Sequence, residues 1–290
     1  MSTETRPRLP QWLKVPFPGG DNYRHLKGLM RDASLHTVCE EARCPNIGEC
    51  WERGSATFMI LGDICTRRCH YCAVTTGLPR TLDVGEPQRL ASTVRSLGLK
   101  YCVITSVNRD DLADGGALIF ARCIECIREE AQGCKVEVLI PDFDGSRRAL
   151  ETLMKARPDV LNHNIEVAKR IFHRVRPKGD YQRSLELLAR AKDIDPSVPT
   201  KSGIMVGMGE ELEELVETME DLRSVGCDLL TVGQYLRPSI KHYPVARFYR
   251  PDEFEELRVI GESLGFKHVA SGPLVRSSYH ADEQLAAATA

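Results

Sequence analysis

The sequence predicts an α/β fold, a partial (β/α)6 barrel with an N-terminal and a C-terminal extension. Two observations predict it. Six short runs rich in β-forming residues recur along the chain, and a helical pattern follows each, at a mean spacing of roughly 34 residues. No stretch of text repeats itself, so the repetition is architectural only. A doubly wound sheet is the alternative reading of the same alternation.

Residues 1–56 form the first extension. Pro7, Pro10, Pro16, Pro18 and the Gly19-Gly20 pair interrupt any period there, and only 22–31 reads as helical. The barrel occupies 57–270, with strands expected at 57–61, 101–105, 135–140, 159–163, 201–206 and 228–232. The helices between them are amphipathic. In 210–224, for instance, Leu212, Leu215, Met219 and Leu222 recur at three and four residues amid carboxylates, a stripe suited to packing on a parallel sheet. From Ser271 onward the period is lost, and 271–290 is expected to be a C-terminal extension.

Composition limits what such a fold is for. The chain has 290 residues, 42% apolar, with 39 Lys and Arg against 41 Asp and Glu. A net charge of −2 excludes a supercharged nucleic-acid binder, and the apolar content excludes a disordered tail. No run approaches the length of a membrane span, and the N-terminus lacks a signal or organelle presequence, so a cytoplasmic enzyme is expected, with neither nucleic acid nor membrane as partner. Eleven cysteines are more than an enzyme ordinarily carries and too few for a secreted disulfide scaffold. Reduced thiols in that number point to metal or cluster ligation.

Cys65, Cys69 and Cys72 stand in Cys-Thr-Arg-Arg-Cys-His-Tyr-Cys directly after the first expected strand, where barrel enzymes place catalytic loops. Three thiolates on a four-iron cluster leave one iron without a protein ligand, a position open to a small molecule. Buried thiols or a zinc site compete with that reading, although the motif has no evident fourth ligand nearby. Upstream, Cys39, Cys44 and Cys50 form a second triplet, whose spacing alone admits a second iron–sulfur cluster, zinc or ordinary thiols.

CxxxCxxC after the first strand of a six-unit barrel resembles the radical S-adenosylmethionine superfamily. The two triplets together resemble the lipoyl synthases within it, and so do the motifs Thr105 to Gly116, Asn162-His163-Asn164, Val175-Arg176-Pro177, Lys201 to Gly207, Gly233 to Leu236 and Arg276 to His280. The resemblance implies two 4Fe-4S clusters and S-adenosylmethionine as cofactors. The cluster on Cys65, Cys69 and Cys72 binds S-adenosylmethionine and cleaves it to methionine and 5′-deoxyadenosine. The cluster on Cys39, Cys44 and Cys50 is consumed as sulfur donor, with Ser278 as its fourth ligand.

The implied reaction inserts two sulfur atoms at C6 and C8 of a protein-bound octanoyl-lysine. The implied partners are octanoylated lipoyl-carrier domains (E2 subunits of 2-oxoacid dehydrogenases and the glycine cleavage H protein), reduced ferredoxin or flavodoxin as electron donor, and a cluster-assembly or carrier protein. An unactivated C–H bond offers nothing to an acid or base, so no catalytic acid–base residue is expected. Another radical S-adenosylmethionine enzyme with an auxiliary cluster, acting on a free small molecule or a peptide, is the alternative.

For the S-adenosylmethionine site the candidates are Tyr71 in the cluster loop, Thr105 and Ser106 at the end of the second strand, Glu137 in the third, Asn162 in the fourth, and Arg174. His163 reads as a hydrogen-bonded histidine at a strand end, and Gly115-Gly116 as the opening of a helix. Cys102, Cys123, Cys126, Cys134 and Cys227 read as core residues, since Cys123 and Cys126 share a helix and lack the strand a redox CxxC requires. In 168–183, Lys169, Arg170, Arg174, Arg176, Lys178 and Arg183 face only Asp180, an excess that marks a docking surface for an acidic carrier.

Overall fold

The computed structural model describes residues 8–53, 55–79 and 81–289. In chain order the first extension contributes α1 (Asp21–Asp32), β1 (His36–Thr37), α2 (Val38–Glu41) and α3 (Ile47–Glu52). The barrel opens with β2 (Thr57–Ile60), followed by the short pair β3 (Ile64–Cys65) and β4 (Thr75–Thr76). It continues through α4 (Glu86–Ser96), β5 (Tyr101–Ser106), α5 (Ala117–Glu130), β6 (Lys135–Leu139), α6 (Arg147–Lys155) and β7 (Val160–Asn162). After α7 (Lys169–Val175) and α8 (Tyr181–Ile194) come β8 (Thr200–Val206), α9 (Leu212–Ser224), β9 (Leu229–Gln234), α10 (Pro251–Ser263), β10 (His268–Gly272) and α11 (Ala281–Thr289).

All six expected strands form, as β2 and β5 to β9. They lie side by side in chain order and parallel, the arrangement that right-handed βα crossovers produce. Their residues are buried almost without interruption, because helices cover one face and the barrel interior the other. The sheet is open. Antiparallel β1 borders β2 at one edge, and β10 borders β9 at the other.

β10 is a seventh parallel strand that the sequence pattern did not reveal, and it straddles the expected limit of the barrel at 270. In His-Val-Ala-Ser-Gly only Val269 is fully buried, so the strand has no alternation of its own and forms through its pairing with β9. Helix ends follow ordinary chemistry. Ser146 and Asp180 cap α6 and α8 through their side chains, and Gly116, at φ 89°, precedes α5, where a Cβ would collide with Leu61. Cys102, Cys123, Cys126, Cys134 and Cys227 are free and buried, as expected of core residues.

The basic stretch 168–183 is partly occupied from within. Arg170 chelates Glu214, Arg183 pairs with Asp144 and Asp142, Arg176 is buried, and the one acid, Asp180, is a helix cap. Three of its six cations are thus taken up within the protein, while Lys169, Arg174 and Lys178 are exposed.

Candidate active site

The strands end on one side of the sheet, and the first triplet is held there. β3 and β4 pair at Ile64↔Thr75 and Cys65↔Thr76, closing the intervening residues into a loop that carries Cys69, Tyr71 and Cys72. Arg67 anchors it: the guanidinium is nearly inaccessible and makes ion pairs with Asp110 at 2.8 Å and Asp142 at 2.7 Å. The loop is also tied to α7 and to the segment after β9. His70 N–H donates to Val175 O, Tyr243 N–H to His70 O, and His242 Nε2 lies 3.0 Å from Cys72 O. Backbone N–H groups point at sulfur, with Asn108 N 3.3 Å and Arg67 N 3.5 Å from Cys65 Sγ.

The second triplet lies beside Thr57, the first residue of β2, which pairs with Val103 in the middle of β5. Cys39 belongs to α2 and Cys50 to α3, with Cys44 on the turn between them. The C-terminal segment folds back over this region. Asn46 Nδ2 donates to Leu274 O at 2.6 Å, Tyr279 Oη to Glu49 at 3.0 Å, and Thr57 Oγ1 to Ser278 Oγ at 2.7 Å. Thr57 also offers its backbone N–H to Cys39, so one threonine touches both a thiol and a serine from chain regions more than two hundred residues apart.

One cavity of about 1080 Å³ joins these regions, and all six cysteines and Ser278 line it. Within each triplet the thiols sense one another. Burial pushes Cys39 up to about 11, with Cys44 adding to it, and pushes Cys50 up to about 12, with Cys39 and Cys44 adding to it. Burial, then Cys69 and Cys65, do the same for Cys72 at about 12. Thiols gathered this way ionise together only around a cationic centre. Among the described residues no three His, Cys, Asp or Glu side chains close on one point as a single ion requires. In a four-iron cluster each thiolate meets a different iron, so the sulfurs stand further apart than around zinc, and soft, mutually coupled donors of this kind fit it.

Of the residues expected around S-adenosylmethionine, Tyr71, Thr105 and Ser106 line the cavity; Glu137, Asn162 and Arg174 do not. Glu137 is wholly buried beneath the wall, where it pairs with Lys201 at 3.0 Å and accepts hydrogen bonds from Tyr101 Oη at 2.7 Å and Asn162 Nδ2 at 2.9 Å. The Glu137 carboxylate is thus engaged by a buried lysine that desolvation would otherwise discharge, and the Asn162 amide N–H by that carboxylate. Arg174 projects outward from α7 into solvent, and Arg176 faces the cavity instead.

The structure adds Glu166, Asn164, His163 and Arg176 to the wall. Glu166 adopts φ 76°, a backbone conformation that non-glycine residues rarely hold, and it hydrogen-bonds Tyr71 and Asn164 with Arg176 close by. Burial raises its carboxyl, and Arg176 works against that rise. His163 Nδ1–H donates to Ile140 O at 2.8 Å, and burial lowers its pKa to about 4, so it is neutral. Ser106 Oγ, His163 Nε2, Asn164 Oδ1 and Arg176 Nε are buried and find no partner within the protein, a set of polar atoms facing one cavity that suits a polar cofactor. The Asn-His-Asn and Val-Arg-Pro motifs contained the signal for three of these four residues; Glu166, two places beyond the first motif, carried none.

The model of the radical SAM superfamily matches residues 59–222, and the model of the N-terminal domain of lipoyl synthase matches residues 1–44. The lipoyl synthase of Rubrobacter xylanophilus is 60% identical over 275 residues, covering 95% of this chain and 86% of that protein. That of Chloroflexus aurantiacus is 57% identical over 283 residues, covering 98% and 92%. Among solved structures, the FeFe-hydrogenase maturase HydG from Carboxydothermus hydrogenoformans superposes with a TM-score of 0.61 at 17% identity, covering 80% of this chain and 56% of that one. Methylornithine synthase (PylB) gives 0.55 at 15% identity, covering 84% and 74%. These two likenesses establish the fold. With the partial barrel, the two triplets on one cavity and relatives this similar along nearly the whole length, the chain belongs to the lipoyl synthase family of the radical SAM superfamily.

Proposed function

We propose that the two triplets divide the work of inserting sulfur at C6 and C8 of a protein-bound octanoyl-lysine. Cys65, Cys69 and Cys72 hold the cluster that binds S-adenosylmethionine, and Cys39, Cys44, Cys50 and Ser278 hold the auxiliary cluster. The first cluster with S-adenosylmethionine supplies a radical able to take hydrogen from an unactivated carbon, and the second supplies sulfur.

The remaining work belongs to the chain. Arg67 fixes the loop through its two aspartates, so the three thiols keep their relative positions. Tyr71, Thr105 and Ser106, with Glu166 and Arg176, hold S-adenosylmethionine, the carboxylate and the guanidinium each matching a group of opposite charge on that zwitterionic ligand. The Met59, Val103 and Leu139 side chains line the cavity with apolar surface suited to an alkyl chain and keep bulk water from it. The observation that carries this reading is that both triplets and Ser278 face the same cavity.

The substrate is an octanoylated carrier protein, and an electron donor is required. Among carriers we assign the E2 subunits of 2-oxoacid dehydrogenases and the glycine cleavage H protein, with ferredoxin or flavodoxin as donor, a cluster-assembly or carrier protein to rebuild the auxiliary cluster, and a cytoplasmic setting. Among the described residues no helix is long and apolar enough to cross a membrane. Mass spectrometry of an octanoylated carrier after anaerobic incubation with S-adenosylmethionine and reductant tests the reading: a gain of two sulfurs on the acyl chain supports it, and an unchanged acyl chain beside abundant 5′-deoxyadenosine refutes it.

A further inference from the structure

The cavity has a second end. Ser106 and Asn108 line it at the C-terminal end of β5, and Lys100 and Tyr101 line it at the N-terminal end of the same strand, so it runs the strand's full length, about 17 Å. Between the ends its wall is apolar, formed by Met59, Val103 and Leu139. An extended octanoyl-lysine side chain is about 16 Å long from its Cα to C8.

The two ends differ in access. Wall residues that follow β5, β6, β7 and β9 are all buried or half-buried beneath the cluster loop and its neighbours, where Thr76 of β4 is the exposed lining residue. At the other end Gly98, Lys100, Lys135 and Asp282 line the cavity and are exposed, which makes a mouth between the start of β5, the start of β6 and α11.

On the reading of the reaction given above, we propose that the octanoyl-lysine arm enters through this mouth, at the N-terminal ends of the strands, with the carrier protein docked against Lys100, α11 and Lys135, whose ammonium also pairs with Asp159 at 2.9 Å. The arm then lies along the apolar wall with C8 toward Ser106, and S-adenosylmethionine occupies the far end. Barrel enzymes ordinarily admit substrate at the C-terminal ends of their strands. Here that end is taken by the cluster loop, and a protein-borne substrate reaches the same cavity from the opposite side without displacing it.

Two measurements test this route. Lys100→Trp and Lys135→Trp narrow the mouth, and together they should lower kcat/KM for octanoylated carrier at least tenfold while bound iron stays at two clusters per chain; Arg174→Trp, on the cluster-loop face, should leave kcat/KM within twofold. Independently, a benzoylphenylalanine photocrosslinker replacing Lys100 should capture the octanoylated carrier, and the same group replacing Arg174 should not. Crosslinking at 174 alone, or unaltered turnover in the Lys100 and Lys135 double variant, overturns the route in an enzyme that still makes lipoyl-lysine. Wild-type enzyme that makes none overturns the reading of the reaction, and the route with it.

Discussion

Thr57 Oγ1 donates a 2.7 Å hydrogen bond to Ser278 Oγ, joining the first residue of the barrel's first strand to the C-terminal segment 221 residues later. The bond leaves Ser278 beside Cys39, whose sulfur receives the Thr57 backbone N–H. An oxygen ligand placed there is supported by a donor that strengthens as the serine acquires negative charge.

Ser278→Ala is therefore expected to lower sulfur insertion at least tenfold and to leave S-adenosylmethionine cleavage near normal, measured as lipoyl-lysine against 5′-deoxyadenosine in one assay. Thr57→Val removes only the supporting bond and should fall between Ser278→Ala and wild type. Ser277→Ala has a different effect. It deprives Asn164 Nδ2 of a 2.7 Å partner at the cofactor end, worth about 1 kcal/mol, so the KM for S-adenosylmethionine should rise a few-fold with sulfur insertion retained per cleavage. Equal behaviour of the two serine variants would contradict this division.

Replacing Cys65, Cys69 and Cys72 by Ala should halve the iron of anaerobically reconstituted protein and abolish 5′-deoxyadenosine formation. Cys44→Ala should keep that formation and lose sulfur insertion. Iron analysis with chromatography of both products separates the outcomes; cleavage by the triple variant would reverse the assignment.

Arg67 carries a stability prediction. Burial alone would raise the Asp142 carboxyl, but its hydrogen bond and charge contact with Arg67 hold it down at about 2. A carboxyl depressed on folding contributes stability that is present above its unfolded pKa near 3.8 and is lost as pH falls through about 2. Arg67→Ala leaves Asp142 buried without its cation and should cost about 3–5 kcal/mol near neutral pH. Arg67→Lys cannot chelate Asp110 and should recover only part of that loss. Thermal unfolding of the variants at pH 7 and at pH 3 checks both size and sign: the gap from wild type should narrow in acid.

Gly233 sits where β9 passes the C-terminal segment, and a Cβ there would run into the Val275 carbonyl. Gly233→Ala should displace Arg276 to Ser278 from the cavity and reduce sulfur insertion more than cofactor cleavage. A parallel loss of both activities would mean that the barrel itself had been disturbed.

The repeating βα pattern, the six central strands and the two sets of thiols were legible in the chain's text, because apolar periodicity and short cysteine spacings are local properties. β10 was hidden in the same text: its few apolar residues become a strand only against β9. Glu137 and Asn162 occupy strand positions that read as ligand-binding, yet Lys201, 64 residues beyond Glu137, claims the carboxylate, and no local pattern announces an ion pair formed across a sheet. Arg174 and Arg176 differ by two places, and the chain leaves helical geometry at Arg176, with φ −124° and ψ 74°, so one points to solvent and the other into the cavity. These placements, like that of Thr57 against Ser278, come from the folded chain, because burial and charge pairing depend on which distant residues the fold brings within a few ångströms.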